Sequence, residues 1–216
     1  AQTGRRLWAE RYDRKLADVF AIQDDIGQHI VTELDVKLLT GEQARVWRKT
    51  TRNRQAYDLF LKGREHHERF TREDVARAQA LFQQALDLDP KFTMAMVWLG
   101  WTHVIQGDAG WSPDYRQSSL KAVALAQRAI AIDPSLGDAY AGLTAWLATL
   151  EKYPESIVAA ERGVDISPNQ ADVVVQSGWT FAFSGRANEG LPLVERALRL
   201  NPFPPDWFFC ALGDSL

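Results

Sequence analysis

Apolar side chains recur at helical spacing over most of this sequence. Val19, Ile22, Ile26, Ile30, Leu34 and Leu38 follow one another every three or four residues and form a stripe along one face of a long helix. Asp18 stands where that helix needs a cap, and Gly41 ends it. Ahead of it, Leu7–Tyr12 reads as a stray strand, which has no stability without partners. After residue 53 the pattern becomes helices in pairs. They are predicted at about 54–69 and 72–88, 91–106 and 113–132, 135–150 and 154–166, 170–184 and 187–200, with a last one over 204–215. Thr71 with Asp74 reads as a capping box, Ser112-Pro113 as a cap followed by proline at the first helical position, and Gly185 as the left-handed residue after a helix. The longest apolar stretch, Val173 to Phe183, is broken by Gln176 and Ser177 and reads as a buried helix, not a membrane span.

The pairs repeat. Asp87-Leu88-Asp89-Pro90, Ala131-Ile132-Asp133-Pro134, Asp165-Ile166-Ser167-Pro168 and Arg199-Leu200-Asn201-Pro202 are versions of one phrase. Pro134 to Pro168 and Pro168 to Pro202 are each 34 residues, whereas Pro90 to Pro134 is 44, one period plus 10. The turn formers of Gly107–Pro113 mark that insertion. Before each proline a face repeats at a spacing of four then three: Ala78, Phe82, Ala85; Ala122, Ala126, Ala129; Ser156, Ala160, Gly163; Gly190, Val194, Ala197. Small residues there let a neighbouring helix come close. Gly100 and Gly178, each 10 residues past a proline, read as further close approaches, since glycine inside a helix otherwise costs about 1 kcal/mol.

These residues resemble the tetratricopeptide repeat, a 34-residue helix–turn–helix with small and large packing positions and a terminal proline. The resemblance covers roughly 54–216 and implies an all-α fold. That fold is an α-solenoid of about four helix pairs with a truncated fifth, preceded by the long helix and the stray strand of residues 1–53. The first pair departs from the pattern by about three extra residues before Thr71, and the second by its insertion.

The segment Leu7-Trp8-Ala9-Glu10-Arg11-Tyr12-Asp13-Arg14 through Asp18–Ile26 is similar to a junction in bacterial multidomain proteins. Those carry a class III adenylate/guanylate cyclase domain or a winged-helix DNA-binding domain, then a TolB-like α/β domain, then tetratricopeptide repeats. Asn53–Gly63 looks like the entry into the repeats. The resemblance implies that residues 1–53 are the end of an α/β domain plus a linker, that 54–216 is the array, and that this chain is the C-terminal part of such a protein. It does not separate cyclase parents from DNA-binding ones.

Composition narrows the chemistry. The net charge is −3, which makes no case for nucleic-acid binding. Residues 1–54 hold 11 Lys/Arg against 8 Asp/Glu, and residues 55–216 hold 14 against 20. The basic run Arg45, Arg48, Lys49, Arg52 and Arg54 reads as a solvated connector, with an acidic neighbouring surface as the functional alternative. A single cysteine, Cys210, reads as a packed small residue; one cysteine allows no internal disulfide and suits the cytoplasm. His29, His66, His67 and His103 fall in no metal-binding spacing, and no phosphate loop or nucleophile elbow occurs. The expectation is therefore a non-catalytic chain with no cofactor and no metal, any cyclase site lying upstream.

In the tetratricopeptide family the first helix of each pair lines a concave face that holds extended partners. Its register, carried onto this chain, gives Tyr57, Phe60, Arg64 and His67, then Met94, Val97, Trp101 and Val104, then Asp138 with Ala141, Ala145 and Ala148, then Asp172, Val175 and Trp179 with Ala182. A protein or peptide, or the parent's own upstream domain, is the expected partner. Trp101 and Trp179 alternate between this role and the core. The last helix carries Phe203, Trp207, Phe208, Phe209 and Leu212, where natural arrays end in a polar cap, so self-association into a dimer is the competing expectation.

Overall fold

The structure, a computed structural model, describes residues 51–215. The chain divides into two units, Ala1–Lys49 and Thr50–Leu216, and the described residues all belong to the second. The strand expected at Leu7–Tyr12 and the helix expected from Asp18 lie outside the described residues.

Among the described residues the secondary structure is nine helices. In chain order they are α1 Arg54–Glu68, α2 Arg72–Leu88, α3 Thr93–Asp108, α4 Tyr115–Ile132, α5 Gly137–Thr149, α6 Tyr153–Ile166, α7 Ala171–Phe183, α8 Ala187–Leu200 and α9 Trp207–Ser215. α1 packs on α2, α3 on α4, α5 on α6 and α7 on α8. The first members also touch in series, α1 to α3, α3 to α5, α5 to α7 and α7 to α9. Each second helix packs on the first helix of the following pair. First helices thus make one layer and second helices the other, which is the tetratricopeptide arrangement.

The repeated phrase explains where each second helix stops. A proline forces the residue before it out of the helical region. Asp89, Asp133 and Asn201 accordingly sit in extended conformation with ψ of 91°, 93° and 99°. Ser167, at ψ 61°, follows the same course. Each still donates its backbone N–H to the small residue four places back, Ala85, Ala129, Gly163 or Ala197. Acidic or amide side chains then tie the turn: Asp89 accepts from Lys91 N at 3.0 Å, Asp133 from Ser135 N at 2.9 Å and Asn201 from Phe203 N at 3.2 Å. Arg128 and Arg196 stitch the turns to their pairs by donating to the carbonyls of Pro90 and Pro168, both at 2.6 Å.

Within three of the pairs the turn has three residues, and its middle residue is left-handed: Phe70 at φ 55°, Glu151 at 59° and Gly185 at 77°. Only the last was legible, because only the last is glycine. Thr71 caps α2 as expected, its hydroxyl accepting from Asp74 N at 3.1 Å. At α4 the expectation fails: the cap is Asp114, accepting from Gln117 N at 2.8 Å, and Pro113 lies before the helix. Only part of the second pair's insertion lengthens the surface turn, which runs over 109–114. α3 has 16 residues against 13 in α5, and α4 has 18 against 14 in α6, so most of the added length extends the two helices by about a turn each.

All the small-and-large positions before the prolines are buried. Backbone meets backbone between α7 and α8: a Cβ on Gly190 would lie 2.3 Å from the Gly178 carbonyl oxygen, and one on Gly178 would lie 2.7 Å from that of Gly190. Gly100 serves a different purpose. A Cβ there would meet the Trp146 ring at 2.2 Å, so this glycine makes room for a tryptophan of the next first helix.

Candidate functional site

The positions expected to line the first-helix layer divide by burial. Phe60, Met94, Val97, Val104 and Val175 are all buried, at 4% exposure or less. Phe60 lies 5.7 Å from Phe82 of α2 and 5.1 Å from Phe92 at the start of α3. Val175 joins Val174, Val194, Ala197, Phe208 and Ala211 in one buried cluster. Ala141 is buried, while Ala145, Ala148 and Ala182 keep partial exposure. Neighbouring helices bury the larger aliphatic members of the stripe.

Those three alanines apart, the partly exposed members are aromatic or polar. Tyr57 stacks on Phe60 at 6.2 Å. Arg64 lies 4.1 Å over the Trp98 ring and donates to Glu68 at 2.9 Å; burial lowers its pKa. His67 packs edge-on to Trp98 at 5.0 Å, and burial, helped by Arg64, holds its pKa down at about 4. It is therefore neutral at neutral pH. Trp101 meets Trp146 edge-on at 5.3 Å, across the α3–α5 contact. Asp138 accepts from Gln170 at 2.8 Å, yet burial raises its carboxyl to about 6, with the charge of Asp172 adding to the effect.

The layer ends in an aromatic row. Trp179 stacks at 6.3 Å on Trp207 of α9 and lies 5.7 Å from Phe183. Its indole N–H donates to Asp214 Oδ2 at 3.0 Å. The register singled out neither Phe183 nor Asp214. Phe183 follows Trp179 by one helical turn and Asp214 follows Trp207 by two, so i+4 and i+7 spacing was the signal that could have found them.

The self-association candidates also divide. Phe203 is 92% and Phe209 55% exposed, whereas Phe208 is fully buried and Trp207 and Leu212 pack partly against its cluster. Cys210 is exposed on α9, not packed as its small size suggested. His66 pairs with Asp74 at 2.7 Å and His103 with Gln79 at 3.1 Å. Among the described residues no three His, Cys, Asp or Glu side chains gather as a metal site, and no helix is long and apolar enough to cross a membrane.

This layered stack of helix pairs, two of them 34 residues long, with polar and aromatic side chains left on the first-helix layer, defines a tetratricopeptide-type solenoid. No protein-family model matches the chain. It is 35% identical over 133 residues to the protein named "Putative adenylate cyclase 3" of Rhizobium meliloti (strain 1021), covering 62% of this chain and 23% of that one. It spans less than a quarter of that relative's length. Among solved structures it is similar to residues 41-end of MamA from Desulfovibrio magneticus RS-1, with a TM-score of 0.51, 14% identity, and coverage of 76% of this chain and 85% of that one. An O-GlcNAc transferase mutant from Thermobaculum terrenum gives 0.52 at 18% identity, over 69% of this chain and 27% of that one. These structural likenesses are likenesses of fold.

Proposed function

We propose that this chain is a non-catalytic protein-interaction and regulatory scaffold, and that it serves as the repeat region of a cytoplasmic adenylate cyclase. The observation that carries the reading is the set of aromatic side chains, Trp101, Trp179, Trp207 and Phe183, that keep surface on the first-helix layer while other rings, Phe60, Phe82 and Trp146 among them, are fully buried in the core. Large rings fixed on a stack of helices are the kind of surface that holds an extended or helical protein segment. The similarity to the Rhizobium meliloti protein supports the cyclase assignment, with the chemistry in sequence other than this chain. The array's task is then to bind a protein partner or the polypeptide's own catalytic domain.

Titration of this chain with the upstream part of the full-length protein tests the reading. Trp101→Ala and Trp179→Ala together are expected to weaken binding about tenfold or more with the fold retained. Unchanged binding by a folded double variant rules the first-helix layer out as the contact surface. The exposure of Phe203 and Phe209 favours a second reading, self-association through α9. A strictly monomeric chain at high concentration disposes of that one.

A further inference from the structure

We propose that the aromatic row at the α7–α9 end of the first-helix layer binds the cationic side chains of a basic protein segment. The inference rests on the scaffold reading and gives the partner a chemistry.

The row is Phe183, Trp179 and Trp207, with ring centroids 5.7 and 6.3 Å apart. Phe183 is 58% exposed, Trp179 and Trp207 are partly exposed, and Asp214 is exposed. The bond from the Trp179 N–H occupies part of one Asp214 oxygen's capacity and fixes the carboxylate at the edge of the row. A ring face attracts a cation through its quadrupole, and a carboxylate beside it adds a full charge and acceptor atoms. A guanidinium or ammonium group satisfies both at once.

The same chain builds this unit twice for its own arginines. Arg64 lies over Trp98 at 4.1 Å and is bonded to Glu68 at 2.9 Å. Arg186 lies over Phe181 at 4.7 Å and is bonded to Glu189 at 2.6 and 2.7 Å. In the third unit, no arginine or lysine of the described residues stacks on Trp179 or Trp207 or pairs with Asp214.

Charge decides the sign of the occupant. Helices α3, α5, α7 and α9 carry one aspartate each, Asp108, Asp138, Asp172 and Asp214, and no lysine or arginine. The second helices carry eight: two on α2, three on α4, one on α6 and two on α8. His103 on α3 is held neutral by burial, its pKa down at about 4. The cations of the first helices, Arg54, Lys62 and Arg64, are all on α1. Beside the row itself an acidic segment would meet the Asp214 carboxylate, whereas a basic one meets that carboxylate and the rings. Exposed ion pairs of this kind weaken with salt.

The test uses residues 1–216 and a synthetic peptide of Gly-Ser-Arg triplets, with Gly-Ser-Glu and Gly-Ser-Gln peptides of the same length beside it. Binding is followed by tryptophan fluorescence at low and physiological salt. The arginine peptide is expected to bind, more weakly at higher salt, and the other two to bind at least about tenfold more weakly. Asp214→Asn and Trp179→Ala, checked for fold by circular dichroism, are each expected to weaken the arginine peptide about three- to tenfold. Trp179→Phe keeps a ring but loses the bond to Asp214, and falls between wild type and Trp179→Ala. Equal binding of the glutamate peptide, or arginine binding indifferent to both Asp214→Asn and Trp179→Ala, overturns the inference. If no peptide binds but Trp179→Ala still breaks the interaction with the upstream domain, the cationic partner is wrong and the scaffold reading stands.

Discussion

Asp138 loses more to burial and to the neighbouring charge of Asp172 than it gains from its hydrogen bonds with Gln170 and its own backbone N–H and from the charge of Arg64. Its folded pKa of about 6 stands above the ordinary 3.8, so the native state holds the proton more tightly than the unfolded chain. Native stability therefore falls as pH rises from near 3.8 through about 6 and is flat above. The effect is of order 1–3 kcal/mol. Asp138→Asn keeps an acceptor for Gln170 and removes the ionisation. It is expected to raise the Tm at pH 7, with the gain shrinking towards zero below about pH 4, as thermal melts across that range would record. A variant less stable than wild type at pH 7 would mean that the charge is compensated in the folded chain.

At the level of the helix pair, glycine has two opposite effects that the structure separates. Gly190→Ala puts a methyl group 2.3 Å from a backbone oxygen that cannot move without shifting α7, so a loss of about 2 kcal/mol or more is expected. A methyl group on Gly213 in α9 would have nothing within 4 Å of it, so Gly213→Ala is expected to stabilise by up to about 1 kcal/mol through helix propensity. Chemical denaturation of the two variants checks both signs. The pairs themselves were legible in the sequence, because Asp133 and Pro134 or Asn201 and Pro202 stop a helix by local chemistry that needs no distant partner. The first-helix layer was legible as a stripe but not as a surface. Which members stay exposed depends on contacts between pairs, as when Phe208 of α9 helps to bury Val175. Phe70 and Glu151 were illegible for another reason: their left-handed turns are imposed by the two helices they join, not by their own preference.

Among the described residues the packing contacts between pairs run chiefly from each pair to its neighbours, so stability is close to a sum of pair and interface contributions. Trp146 is the largest fully buried side chain among the described residues; it fills the space left by Gly100 and Gly142 and meets Trp101 across the α3–α5 contact. Trp146→Ala is expected to cost about 3–5 kcal/mol and to uncouple the array there, so that melting followed by hydrogen exchange resolves two transitions where wild type shows one. A single transition in the variant would show longer-range coupling than nearest-neighbour contacts provide. Whether the array regulates without chemistry of its own can be read from cyclic-AMP synthesis from ATP. Three proteins are compared: the full-length protein, the same protein lacking residues 54–216, and the isolated chain. A regulatory array gives activity in the full-length protein, a changed rate once the array is removed, and none from the isolated chain. Cyclic AMP made by residues 1–216 alone, or a full-length rate indifferent to the loss of the array, would contradict that role.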